Sequence, residues 1–275
     1  MICFPNAKIN LGLRVVEKRP DGYHNIETVF YPIGLCDALE VHFSDQDATM
    51  LKVDGLVTSD LASNFKHNIV YKAYTLLSTE VPIKPLSMHL VKKIPTGAGL
   101  GGGSSDGANA LKIISKLNGS LFTDDELESF SAQIGADCAF FIKNNPIFAK
   151  GIGTEFEPVQ LNLSGYFLVL VKPNISVSTA EAYALVKPKK TENSLKDLVQ
   201  LPVNEWKDLV INDFERSVFT QYPEIEKIKD TMYAHGAVYA SMSGSGSSVY
   251  GLFNHAIDLK SEFDGMFYWS EFLKF

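Results

Sequence analysis

The sequence predicts a two-domain α+β (α/β) protein, and three observations carry that reading. The first hundred residues alternate apolar and polar positions with the period of half-buried strands. A glycine-rich loop stands between one of those strands and a helix. Past residue 150, a stretch holding Gly151, Gly153, Pro158 and Gly165 precedes a second mixture of strand and helix signals. The expected domains are 1–155, carrying the loop, and 156–275.

Ile9, Leu11, Leu13 and Val15 alternate with polar or small neighbours, and Pro20-Asp21-Gly22 supplies the turn after that first strand. Strands are expected over 26–33, 39–43 and 50–53, in an antiparallel set. Asn68 opens a helix over 68–79, with Ile69, Ala73, Leu76 and Leu77 on one face. Leu86, Met88 and Leu90 alternate again and lead through Lys92-Lys93-Ile94-Pro95 into the loop at 97–105. Ala108, Leu111, Ile114 and Leu117 predict a helix over 108–117 that stops at Asn118-Gly119. Thr123-Asp124-Asp125-Glu126 forms a capping box for a second helix running to Gly135. In the second half a strand is expected over 166–172 and a helix opening at Ser178-x-x-Glu181. Helices over 195–201, 205–219 and 224–235 follow. Strands over 237–242 and 248–253 flank a second Gly/Ser run, and a helix near 257–263 precedes a strand near 266–273.

The 275 residues are 45% hydrophobic and 21% charged, which excludes a disordered or collagen-like chain. Its apolar runs, such as 166–171, fall far short of the roughly 20 residues that cross a bilayer. Residues 1–18 lack a charged head followed by an apolar block, so the expected location is the cytoplasm. A net charge of −7 without a run of five basic residues weighs against nucleic acid as a partner and leaves small anions open. Cys3, Cys36 and Cys138 show no C-x-x-C spacing, and no histidines pair as H-x-H or H-E-x-x-H, so no zinc site is expected.

The strongest signal is Pro95-Thr96-Gly97-Ala98-Gly99-Leu100-Gly101-Gly102-Gly103-Ser104-Ser105-Asp106. So many glycines are entropically expensive to order, which implies positive φ or a backbone pressed against a ligand. A helix N-terminus just beyond adds N–H donors and a positive dipole end, a recipe for holding phosphate. Gly97-x-Gly99-x-x-Gly102 matches the dinucleotide fingerprint literally but lacks the βαβ context it needs. No lysine follows Gly103, so it is not a Walker loop, and no V-A-I-K or H-R-D element of a protein kinase is present.

The loop resembles the phosphate-binding motif of the GHMP kinases, those acting on galactose, homoserine, mevalonate and phosphomevalonate, with its shared Pro-x-x-x-Gly-Leu-Gly-Ser-Ser-Ala-Ala pattern. Its longer form is typical of the branch that phosphorylates 4-diphosphocytidyl-2-C-methyl-D-erythritol. Three other blocks agree: Pro5-Asn6-Ala7-Lys8-Ile9-Asn10-Leu11 with Arg19-Pro20-Asp21-Gly22-Tyr23-His24, then Gly135-Ala136-Asp137, then Ser243-Gly244-Ser245-Gly246-Ser247. The resemblance implies an N-terminal α/β domain and a smaller ferredoxin-like C-terminal domain with the active site in the cleft between them. It implies ATP-dependent phosphorylation of the substrate's 2-hydroxyl, in the non-mevalonate route to isoprenoid precursors. ATP is expected on Pro95, Gly97, Ala98, Gly99, Leu100, Gly101, Gly102, Gly103, Ser104 and Ser105, with Mg²⁺ as cofactor and Ser104 as its ligand.

Transfer to an alcohol requires positioning, charge neutralisation and an acceptor for the proton. The resemblance gives Asp137 that last role and Lys8 the orienting cation. It gives Tyr23 and His24 the cytidine ring, Tyr183 the ring's other face, and Asn10, Asn68 and Lys92 polar positions that line the substrate or nucleotide site; Thr179 is either a further substrate contact or simply the first residue after the Ser178 cap. The expected protein is a monomer or weak homodimer that meets neither nucleic acid nor membrane. Alternatives are another small-molecule kinase of the superfamily, of the homoserine or mevalonate type, a catalytically silent nucleotide binder of the same fold, and, more distantly, an NAD-binding oxidoreductase. Two departures from the family pattern stand out. Cys138-Ala139 replaces a usual Val-Pro after Asp137, and Gly107 replaces an alanine at a cost of roughly 0.5–1 kcal/mol of helix propensity.

Overall fold

A computed structural model describes residues 1–56 and 65–274. In chain order the strands are β1 (Ile2–Cys3), β2 (Asn6–Lys18), β3 (His24–Cys36), β4 (Ala38–Phe43), β5 (Met50–Gly55), β6 (Leu86–Lys92), β7 (Ile147–Lys150), β8 (Glu155–Pro158), β9 (Phe167–Lys172), β10 (Tyr239–Met242), β11 (Val249–Phe253) and β12 (Phe267–Phe272). The α-helices are α1 (Ile69–Glu80), α2 (Gly102–Leu117), α3 (Asp124–Ile134), α4 (Phe140–Lys143), α5 (Thr179–Tyr183), α6 (Leu195–Leu198), α7 (Glu215–Gln221) and α8 (Pro223–Ala234). The chain divides into two compact units. One comprises Met1–Ala7, Leu35–Thr96 and Gly101–Asn145, the other Lys8–Gly34, Gly97–Leu100 and Pro146–Phe275.

In the first unit the sheet order is β1-β4-β6-β5. β4 runs antiparallel to both β1 and β6, but β5 runs parallel to β6, against the expectation of an antiparallel set. Alternation reports which face is buried and says nothing of strand direction. The signal for a parallel pair was the intervening helix α1, long enough to serve as a crossover. Asn68 caps α1 as expected, its side chain accepting the Val70 N–H at 2.9 Å.

α2 begins six residues earlier than the expected 108, inside the glycine run. Tertiary contact overrides the poor propensity there: a Cβ added to Gly102 would lie 2.7 Å from Ile94 Cγ2. Gly107 has a similar cause, since its added Cβ would stand 2.8 Å from Ile69 Cγ1 and 3.1 Å from Ile134 Cδ1. Helices α1, α2 and α3 therefore converge where α2 has no side chain. The capping box of α3 forms, with the Glu126 N–H donating to Thr123 Oγ1 and the Thr123 N–H to Glu126 Oε2.

The second unit holds sheets ordered β2-β3-β7-β8 and β10-β11-β9-β12. β9 lies between β11 and β12, and its unbroken apolar run is buried along its length, as a strand covered on both faces requires. Ile225, Ile228 and Met232 of α8 join Val169, Val171, Val249 and Phe253 in one core. The helix expected over 205–219 is divided: a 3-10 turn at Val203–Asp208 ends and α7 starts only at Glu215. Between them the chain pairs with β2, with the Leu13 N–H on Ile211 O at 2.9 Å and the Asp213 N–H on Leu13 O at 2.8 Å. The helix at Ser178 has its capping box but stops at Tyr183.

Candidate active site

The loop is ordered by alternation of backbone sign. Gly97, Gly99 and Gly101 take φ of 61°, 74° and 68°, a region that L side chains rarely enter. Between them Ala98 and Leu100 are buried, anchoring the turn. A Cβ at Gly99 would lie 2.0 Å from Ser243 O, so the two Gly/Ser runs of the sequence meet there. Gly97 and Gly103 face nothing within 4 Å.

Gly101 offers α2 no side-chain cap, and its first turn has no acidic residue. The N–H groups of that turn, together with the positive end of a 16-residue helix, are therefore available to an anion. Pro95 enters the loop from the β6 side. The two serines differ. Ser105 is buried, with Asn109 Nδ2 3.0 Å from its carbonyl, whereas Ser104 lies against Cys138, whose thiol is pushed up to about 12 mainly by burial.

Lys8 is 3% exposed on β2; its ammonium donates to Asn10 Oδ1 at 2.5 Å and Gly99 O at 3.3 Å, 4.8 Å above the Phe30 ring. Asn10 in turn donates to Thr28 Oγ1 at 2.9 Å, and its backbone N–H reaches Ser243 Oγ at 3.1 Å. The second unit thus joins Lys8, Asn10, Gly99 and Ser243 in one network. Asp137 stands in the first unit, in the turn between α3 and α4.

His24 and Tyr183 are brought together, stacked at 4.6 Å and 25° between ring planes. Phe214 packs edge-on to Tyr183 at 4.6 Å. Tyr23 beside them is 64% exposed. Thr179 is an exposed residue of the first turn of α5. Asn68 is committed as the cap of α1. Lys92 is buried, its ammonium held by Asp37 and, at 2.6 Å, by Asp106 Oδ2.

Sequence reasoning gave no role to Asp37, Asp106, Asn212 or Tyr250. Asn212 Nδ2 donates to Met242 O at 2.8 Å and Gly244 O at 2.9 Å, fixing the second Gly/Ser run, and Tyr250 Oη donates to Asn10 O at 2.9 Å. The only forward signal was the run Ser243–Ser247 itself.

The GHMP kinase N-terminal domain model matches residues 68–145 and the GHMP kinase C-terminal model residues 193–267. The chain is 55% identical over 98% of its length to the 4-diphosphocytidyl-2-C-methyl-D-erythritol kinase of Parabacteroides distasonis, covering 98% of that protein. The chain belongs to the 4-diphosphocytidyl-2-C-methyl-D-erythritol kinase family of GHMP kinases. A second family member, from Bacteroides fragilis, is 52% identical over the full length of both chains. A crystal structure of a 4-(cytidine 5'-diphospho)-2C-methyl-D-erythritol kinase aligns with a TM-score of 0.78 at 30% identity, covering 92% of this chain and 90% of that one. The Methanococcus jannaschii mevalonate kinase, at 16% identity and TM-score 0.70 over 100% and 98% of the two chains, shares the fold.

Proposed function

We propose that this family member transfers the γ-phosphoryl group of ATP to the 2-hydroxyl of 4-diphosphocytidyl-2-C-methyl-D-erythritol, giving the 2-phosphate and ADP, in the non-mevalonate route to isoprenoid precursors. The observation that carries the reading is the uncapped N-terminus of α2 behind a loop in left-handed backbone, in a chain so similar to a kinase of that name.

In this reading Pro95, Gly97–Gly103, Ser104 and Ser105 line the nucleotide's phosphates, whose charge the N–H groups of α2 and its dipole offset. Mg²⁺ travels with the nucleotide; a kinase metal keeps most of its ligands from phosphate and water, and Ser104 on the open first turn offers one hard hydroxyl oxygen that suits it. When bound, that ion neutralises phosphate charge. Lys8, fastened by Asn10 and Gly99, supplies a fixed cation for the developing alkoxide. Asp137 receives the alcohol proton, which in a loose transfer leaves late enough for an ordinary carboxylate to serve.

His24 and Tyr183 hold the cytosine ring by stacking, with Tyr23 at its edge; the two rings touch here and part for a base to enter between them. Asn10, Asn68 and Thr179 complete the substrate side, and Lys92, buried between Asp37 and Asp106, acts on the site only through them. We assign residues 1–155 to the N-terminal domain and 156–275 to the C-terminal one, and place a monomer or weak homodimer in the cytoplasm; among the described residues no helix is long and apolar enough to cross a membrane.

The test is ADP release by the purified protein with Mg-ATP, with and without the cytidylyl alcohol, and in parallel with homoserine and mevalonate. Release that depends on the cytidylyl compound supports the reading. Release only with another alcohol, or none, overturns the substrate assignment or the activity.

A further inference from the structure

Three charged side chains are buried against one another in the first unit, beneath the start of α2. Lys92 closes β6, Asp37 precedes β4 and Asp106 lies in the second turn of α2. All three are buried, at 5%, 1% and 2% exposure. The Lys92 ammonium bridges the carboxylates. Asp37 Oδ1 also accepts the backbone N–H of Lys93 and, at 2.8 Å, of Ile94, the residues that carry the chain out of β6 towards the loop. Asp106 Oδ1 is buried and has no hydrogen-bond partner.

One lysine between two carboxylates is a poor choice if stability alone were served. Burying ions costs several kcal/mol each, and apolar side chains of similar volume do as well or better. What the arrangement supplies is geometry. Asp37 holds the residues after β6, Asp106 holds the helix that leaves the loop, and Lys92 fastens one to the other. The same junction is closed by contact of Gly102 with Ile94, and a Cβ at Gly102 would lie 3.5 Å from the Lys92 ammonium. The donors of the first turn of α2 are one to four residues from Asp106, so their aim depends on where this cluster sets the helix.

We propose that Asp37, Lys92 and Asp106 are positioning residues that fix the strand-to-helix junction of the phosphate loop, and so set affinity for the nucleotide rather than for the alcohol substrate. The proposal rests on the kinase reading above and assigns Lys92 an indirect role. The cluster needs an oxygen at position 106 for the Lys92 ammonium. It does not need the negative charge, because Asp37 already balances the lysine.

The experiment compares wild type, Asp106→Ala, Asp106→Asn and the double variant Lys92→Met/Asp106→Leu, each checked for native circular dichroism and thermal transition. It measures KM for ATP, KM for the cytidylyl alcohol and kcat, and separately the Kd for a fluorescent ATP analogue. Losing the aim of one hydrogen bond to a charged phosphate oxygen costs about ten- to a hundredfold in affinity. Asp106→Ala should raise KM for ATP and the analogue's Kd by that factor while leaving KM for the alcohol within about twofold. Asp106→Asn should restore both. The double variant is made in an Asp37→Asn background, so that no buried carboxylate loses its cation; with apolar volume in place of the ionic tie it serves the measurement if Asp106→Ala does not fold, and should lose nucleotide affinity likewise. Wild-type nucleotide affinity in a folded Asp106→Ala or double variant overturns the proposal, as does a larger effect on the alcohol than on ATP. Absence of kinase activity in the wild type strikes at the proposed function instead, and the analogue's Kd still tests the cluster.

Discussion

Two ammonium groups, Lys8 and Lys92, stand at 3% and 5% exposure near the same loop, and their surroundings separate their work. Lys8 is hydrogen-bonded to Asn10 Oδ1 and Gly99 O, within the network that Ser243 shares. Lys92 sits between two carboxylates. Asp137→Asn should abolish most turnover, by about a hundredfold or more in kcat, while both substrates still bind; kcat near wild type would remove Asp137 from proton transfer. His24→Ala should raise KM for the cytidylyl alcohol by roughly tenfold, the worth of one lost stacking contact, and leave KM for ATP alone. Equal effects on the two constants would argue against base stacking at His24. The sequence could name Lys8, His24 and Asp137 because short motifs surround them. Asp37, Asp106 and Asn212 were illegible, since a carboxylate or amide in one sequence looks the same whether it is solvated or locked beneath a loop.

Elements were legible where a local rule governs them. The caps at Asn68, Thr123 and Ser178 are side-chain chemistry within three residues and were read directly. The early start of α2 and the split near Asn212 were not, because both are decided by partners far along the chain, Ile94 for one and Leu13 for the other. Gly107 is the sharpest case: propensity argues for alanine, packing against it. Gly107→Ala should destabilise the protein by about 1–3 kcal/mol in urea unfolding, because overpacking against Ile69 exceeds the helix propensity gained. Adding Ile69→Ala should recover part of that loss, and a Gly107→Ala protein more stable than wild type would contradict the packing account. Thr123→Ala should cost about 1 kcal/mol through its cap alone, with kinetic constants unchanged.

For the molecule as a whole, burial of Asp106 sets a stability trend with pH. Its carboxyl titrates near 8 when folded against 3.8 as a free side chain. Between those values the folded state holds a proton that the unfolded state has released, so stability from this group falls as pH rises through the window. Unfolding midpoints in urea for Asp106→Asn, which cannot titrate, should therefore gain on wild type from pH 4 to 8; a gap that stays constant would mean that Asp106 is ionised throughout. Glu157 and Glu181 act in the opposite sense. Hydrogen bonds from Lys150 and Lys196, and from Ser178 and Tyr222, hold their carboxyls down at about 2, so what they contribute is lost on acidification below the usual carboxylate range.

The mixed α+β character was legible at this scale, but the interleaving of the two units was not, because it resides in contacts between distant segments. It has a consequence for synthesis. Lys8–Gly34 belongs to a unit whose remainder, apart from Gly97–Leu100, begins at Pro146. A ribosome adding about 5–20 residues per second makes the β2–β3 pair first and then takes several seconds over residues 35–145 before β7, the neighbour of β3, emerges. During that interval Ile9, Leu11, Val29 and Tyr31, all fully buried at the end, have no core to enter. The nascent chain therefore presents two long strands with buried-to-be apolar residues while the first unit is still being synthesised, and a holding chaperone would have its target in the first three dozen residues.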